Sequence, residues 1–191
     1  MEGKNKLISE LLELSDKNYI NYSDDKGYNL LEWFVEKYKL LDKADKNMII
    51  YKYEIYWCNF GENIGSEENK IRPCVIIQNQ AGNKHSPTTI VAPITNATIN
   101  LPIAVQIHRE NNSDITGTID LAQIRVISKA RLLGKISKLT TKESKLVDTA
   151  LLKSLGLYKL LIDNQKLREK VKDLKNENKQ LKQLLDNGEN T

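Results

Sequence analysis

Hydrophobic residues change their spacing twice along this chain. Up to about residue 47 they recur at helical intervals: Leu7, Leu11 and Leu14, then Leu31, Phe34, Val35, Tyr38 and Leu41. Between these sets, NYSDDKGYN gathers turn formers, which predicts two helices joined by a turn. Trp33, Phe34 and Tyr38 make the second helix more apolar than a free helix needs, so this face is expected to dock, either on the core of the same chain or on a binding partner.

From about Met48 the period becomes that of strands. MIIYKYEIYWCNF reads as one strand up to Gly61. RPCVIIQN (72–79), TTIVAPI (88–94), IAVQIHR (103–109) and TGTIDLAQIRVI (116–127) follow, separated by Gly, Asn, Ser and Pro. Short strands with such breaks predict a mainly β, α+β body: a small, strongly bent antiparallel barrel. Thr140 and Glu143 then have the spacing of a capping box. They open a helix whose apolar side is Leu146, Val147, Ala150, Leu151 and Leu155.

The second change comes at Leu157, where a heptad array begins. With Leu157, Asn164, Val171, Asn178 and Leu185 at a, the d positions are Leu160, Leu167, Leu174 and Leu181. Leucine at d with valine and asparagine at a favours a parallel two-stranded coiled coil. The expected organisation is therefore a helical extension over 1–47, a β body over 48–156, a coiled coil over 157–186 and a disordered tail over 187–191.

Charge adds a gradient. The net +4 of the chain divides into −2 for residues 1–47, +4 for 48–156 and +2 for 157–191. A mildly basic body permits a polyanionic partner without demanding one. Cys58 and Cys74 lie in apolar strand-like runs and, with two histidines at unrelated spacings, make no zinc pattern. Buried free thiols in a reducing compartment are expected. No run of ~20 apolar residues is present to span a membrane, and the first residues lack a signal-peptide pattern. Cytoplasmic residence follows as an expectation.

The stretch from Gly65 to Thr95 carries the candidate chemistry. Arg72 and Pro73 stand immediately ahead of one apolar strand, and Thr95 ends the next. A guanidinium is planar, permanently charged and bidentate towards phosphate oxygens, so Arg72 suits the charge of a phosphate ligand. Thr95 can offer a hydroxyl and a nearby backbone N–H. Either residue alone is unremarkable chemistry: most Arg-Pro pairs before strands are surface features.

Their order within a longer series is what gives them meaning. EIYWCNF (54–60), Gly65-Ser66-Glu67, Ile71-Arg72-Pro73, Val75 to Asn79, Gly82-Asn83, Ser86-Pro87-Thr88 and Ile90 to Thr95 resemble, in sequence, the MazF/PemK/Kid family of toxin endoribonucleases. Leu121-Ala122-Gln123-Ile124-Arg125 and the ending Ser154-Leu155-Gly156-Leu157 continue the likeness, which covers roughly residues 50–157. The resemblance implies a sequence-specific, metal-independent endoribonuclease acting on single-stranded mRNA, the toxin of a type II toxin–antitoxin system. It implies Arg72 and Thr95 as the catalytic pair. Gly65, Ser66 and Glu67 would form a loop over the site, with Gln123 lining the RNA groove. It also implies a two-fold homodimer, a cognate antitoxin occupying the same groove, and no cofactor.

Two departures stand out. The family's Gly-Asp in the first strand is Tyr53-Glu54 here, which puts in doubt any role of this acid in holding the loop. His85 replaces the aromatic residue of the loop that also holds Asn83, where it could stack on a base; both are carried as RNA-binding candidates. A non-catalytic, CcdB-like binding protein on the same fold is the alternative reading, distinguished by whether RNA is cut.

Overall fold

The computed structural model describes residues 25–42, 48–108 and 115–188. Its centre is a seven-stranded antiparallel sheet: β1 (Glu54–Asn59), β2 (Ile71–Ile76), β3 (Thr88–Thr95), β4 (Ala104–Ile107), β5 (Gly117–Asp120), β6 (Arg125–Ser128) and β7 (Leu132–Lys138). Among the described residues four α-helices accompany it: α1 (Asp25–Asp42), α2 (Gln80–His85), α3 (Thr141–Ser154) and α4 (Tyr158–Gly188). The expected antiparallel β body with helices is present. The predicted helix carrying Leu7, Leu11 and Leu14 lies outside the described residues, as do residues 189–191 of the predicted tail.

The strand order is β4-β5-β3-β2-β1-β7, with β6 also on β3. β3 is the pivot. Its first half, Thr88 to Val91, pairs with β6, whereas Ile94 and Thr95 pair with β5. Pro93, which has no N–H to donate, falls at this changeover of partners. The split bends the sheet so that both faces of its middle strands are covered. Ile55, Val75 and Ala92 face a core with Ile119, Leu121 and, from α3, Val147 and Ala150. Tyr56, Cys74 and Val91, one residue along in each strand, face a second core with Ile50, Phe60 and Ile127. This is period-two alternation with both sides buried.

Several expected elements are corrected. The run 116–127 is two strands: the Asp120 side chain accepts from the Ala122 N–H (2.9 Å) and turns the chain between them. The run read as one strand from Met48 begins only at Glu54, after Tyr53 adopts a positive φ of 71°. β7 is an element the strand pattern missed. The expected Gly/Asn/Ser/Pro loop after β2 contains the helix α2, capped by Asn79, whose side chain accepts from the Gly82 N–H (2.8 Å). At α3 the Thr140–Glu143 capping box forms reciprocally, as its spacing predicted.

The docking expectation for α1 holds for one side chain of three. Trp33 lies against Gly61, where an added Cβ would meet the indole at 2.2 Å, and the Arg131 guanidinium stands 5.0 Å from its ring. Phe34 and Tyr38 instead stay exposed.

Candidate active site

Hairpin geometry sets the site. β2 and β3 pair as Cys74 to Pro93, Val75 to Ala92 and Ile76 to Val91. The same register carried two residues outward sets Arg72 opposite Thr95. The start of one strand and the end of the next thus meet at one end of the hairpin. There both residues line an open depression with Trp57, Ile71, Asn96 and Thr116. Thr95 is half-buried, and its hydroxyl accepts from the Ala97 N–H (3.3 Å), fixing the turn beyond the strand. On its other side Thr95 pairs with Thr118. This approach depends on Gly117: at φ 140°, an added Cβ would stand 2.8 Å from the Thr95 carbonyl.

The loop between β1 and β2 supplies the rest. It is pinned at its neck by backbone bonds from Phe60 to Lys70 (2.9 Å) and from Lys70 to Gly61 (2.6 Å), with Gly61 and Lys70 both at positive φ. Arg72 Nε donates to the Asn69 carbonyl (2.8 Å), and its Nη1 forms an ion pair with Glu68. Partial burial lowers the pKa of the Arg72 guanidinium from its ordinary value. That ordinary value is so far above neutrality that the group stays charged. Glu68 is in turn held at its backbone: its N–H donates to Gln123 Oε1 (2.6 Å) and its carbonyl accepts from Asn63 (2.8 Å). Gln123 also donates to the Ser66 carbonyl (3.1 Å).

The eight site residues predicted from sequence therefore separate into three groups. Arg72 and Thr95 share one depression. Ser66, Glu67 and Gln123 line a neighbouring one with Arg125, whose guanidinium approaches Glu67 at 3.9 Å; Gly65 is exposed in the same loop. The structure brings Asn83 and His85 to neither depression. Their segment joins the far ends of β2 and β3, so the hairpin carries it to the end opposite Arg72 and Thr95. Asn83 is 1% exposed, donates to the Gln78 carbonyl (3.0 Å), accepts from Thr89 (2.8 Å) and has no free face for RNA. His85 is exposed at the end of α2.

Glu54 also has a defined place. It is buried, accepts from Tyr56 Oη (3.0 Å) and the Tyr51 N–H (2.9 Å), and pairs with Lys135 of β7 (2.5 Å). It braces β1 against β7 and makes none of the bonds that hold the 61–70 loop. Cys58 and Cys74 are buried free thiols; their mutual hydrogen bond and burial push the Cys74 thiol well above its usual range. Among the described residues, no three His, Cys, Asp or Glu side chains gather closely enough to hold a metal ion. No described helix is long and apolar enough to cross a membrane. Glu68, Gly117 and Trp57 also stand at the site, although their types and spacing do not single them out in the chain. Glu68 offered one signal, an acid four residues before Arg72.

Residues 51–155 match the family described as PemK-like, MazF-like toxin of type II toxin-antitoxin system. The chain is 43% identical over 109 residues to Endoribonuclease MazF of Staphylococcus saprophyticus, an alignment covering 55% of this chain and 90% of that protein. Solved structures agree on the fold. MazF from Deinococcus radiodurans superposes with a TM-score of 0.51 at 18% identity, covering 57% of this chain and 98% of that one. An endoribonuclease from mycobacterial species gives 0.50 at 20% identity, covering 59% and 97%. The chain belongs to the PemK-like, MazF-like toxins of type II toxin–antitoxin systems. Within that family it is a MazF-like toxin endoribonuclease.

Proposed function

We propose that this endoribonuclease cuts single-stranded mRNA at a specific sequence, without a metal, in the depression shared by Arg72 and Thr95. The observation that carries the reading is their juxtaposition across the β2–β3 hairpin, in a cleft open enough to admit a phosphodiester. Arg72 holds the scissile phosphate and stabilises the phosphorane; the Thr95 hydroxyl donates to a phosphate oxygen. The RNA's own 2′-hydroxyl is the nucleophile, so its oxygen bonds to phosphorus as the bond to the 5′-oxygen breaks. The products carry a 2′,3′-cyclic phosphate and a 5′-hydroxyl. The 61–70 loop, tied by Gln123, presents Gly65, Ser66 and Glu67 to the flanking nucleotides.

We place this activity in residues 48–156, read as a small SH3-like barrel that acts as a two-fold homodimer in the cytoplasm. A cognate antitoxin competes for the same groove. The test is a long single-stranded RNA incubated with the protein in EDTA, with cleavage ends mapped and the cyclic phosphate assayed. Cutting at one short sequence is expected, and its loss in the Arg72→Ala, Thr95→Ala double variant. Unchanged cutting by that variant refutes the mechanism, and RNA binding without cutting by the wild type favours a non-catalytic CcdB-like role.

A further inference from the structure

The helix α4 lies wholly beyond the family match, and a row of its leucines faces solvent. It runs for 31 residues, about 46 Å at the helical rise. It packs on α3 near its start, where Lys153 stands 5.2 Å from the Tyr158 ring. The joint is closed: Gly156 takes a φ of 71°, and the Leu157 N–H donates to the Leu152 carbonyl (2.7 Å), a Schellman termination that fixes where α4 departs. Beyond it, every described side chain from Asp163 to Leu184 is exposed. Leu160, Leu167, Val171, Leu174 and Leu181 are 47% to 66% exposed. A long helix without tertiary packing is marginal in water. One with a continuous apolar stripe facing solvent lacks its neighbour.

We infer that this stripe is the seam of a parallel, in-register two-stranded coiled coil with a second copy of this chain. The body of the same chain does not cover it, because the stripe stays exposed to the last described residues. Charge selects both partner and direction. In an antiparallel pair, e positions face e positions. Here these are Leu161, Arg168, Lys175 and Lys182, so a well-overlapped antiparallel pair sets basic residues against one another. Asn164 and Asn178 would also be set against leucine.

The parallel register removes both conflicts. Each asparagine meets its twin and the two amides can pair, the known device for specifying a two-stranded register. Asn178 now donates to its own Leu174 carbonyl (3.0 Å), a bond it can exchange. Asp163 of one copy faces Arg168 of the other, and Glu177 faces Lys182; only Lys170 against Lys175 repels. The partner is thus a self-complementary chain, and a two-fold axis along the coil holds two nuclease bodies at high mutual concentration.

Disulfide trapping in the full-length protein tests this. Leu174→Cys places a thiol at a d position, where two parallel copies bring their Cβ atoms within disulfide reach. Lys172→Cys, at an outward b position, is the control; Cys58 and Cys74 are buried and do not compete. Mild oxidation is expected to link Leu174→Cys into a pair at least ~10-fold faster than Lys172→Cys, with a two-chain mass by light scattering. Lys170→Glu turns the repelling contact into an attracting one and is expected to tighten the association roughly fivefold. Equal trapping at both positions, a mass above two chains, or an untrapped Leu174→Cys in a protein that is otherwise dimeric overturns the inference. The last result assigns the stripe to a different chain.

Discussion

Arg72 and Glu68 form an ion pair across the neck of the β1–β2 loop. The guanidinium that faces Thr95 across the hairpin is therefore already engaged by a carboxylate of its own chain. A phosphate entering the depression must compete with that carboxylate, on a pair whose side chains are only 27% and 14% exposed.

Replacing Glu68 with glutamine keeps the shape and removes the competing charge. RNA binding is expected to tighten by roughly 3- to 10-fold, the worth of one partly buried ion pair of about 1 kcal/mol. Fluorescence anisotropy with a non-cleavable single-stranded RNA measures it. Equal affinity of the two proteins would show that the pair opens without cost.

Gly117 stands beside the site with no room for a side chain. Alanine there would press a methyl group against the Thr95 carbonyl while holding a φ of 140° that L-residues avoid. Gly117→Ala is expected to cost about 1–3 kcal/mol in stability and to lower RNA cleavage by roughly tenfold through a displaced Thr95. Chemical denaturation and single-turnover cleavage read the two effects separately.

Gln123 ties the 61–70 loop at two points, the Glu68 N–H and the Ser66 carbonyl. Gln123→Ala is expected to leave global stability within about 1 kcal/mol while raising KM for RNA several-fold more than it lowers kcat. Hydrogen exchange should increase at residues 66–68 alone. An effect on kcat only would move Gln123 from positioning the loop to contact with the reacting phosphate.

Glu54 gives the body an acid limit. Burial alone would raise its pKa. The hydrogen bonds from Lys135, the Tyr51 N–H and Tyr56 outweigh burial and hold it below the ordinary carboxylate range. A depressed folded-state pKa contributes stability that is present above the unfolded value and is lost as pH falls through the folded one. The Glu54→Gln variant is therefore expected to be less stable than the wild type by about 1–3 kcal/mol at pH 7. That gap should close below about pH 4. Urea denaturation across pH 3 to 7 tests the convergence.

Much of this architecture is legible in the chain because its signals are local. The capping box at Thr140 and Glu143 and the strand alternation around Val75 and Ala92 need no knowledge of the rest of the fold. Arg72 and Thr95 were also within reach, since an arginine opening one strand and a threonine closing the next must meet if the two form a hairpin. The same reasoning, followed through, sends Asn83 and His85 to the opposite end of the hairpin; only their order in a motif groups them with Arg72 and Thr95. β7 escaped notice because the run from Leu132 to Lys138 places lysine, glycine and serine on a sheet edge, weakening its alternation. Gly117 and Glu68 owe their roles to approaches between segments far apart in sequence, or to a loop whose path the residues do not announce.

The chain's two tryptophans stand at separate checkpoints. Trp57, 44% exposed, is in the wall of the Arg72–Thr95 depression, whereas Trp33 lies under Arg131 against Gly61 at the base of the loop. Nature has thereby installed two optical reporters. With Trp33 replaced by phenylalanine, the remaining emission follows occupancy of the cleft; with Trp57 replaced, it follows attachment of the amino-terminal helix. Changes at the depression and at the helix thereby become separable signals in an otherwise unlabelled protein.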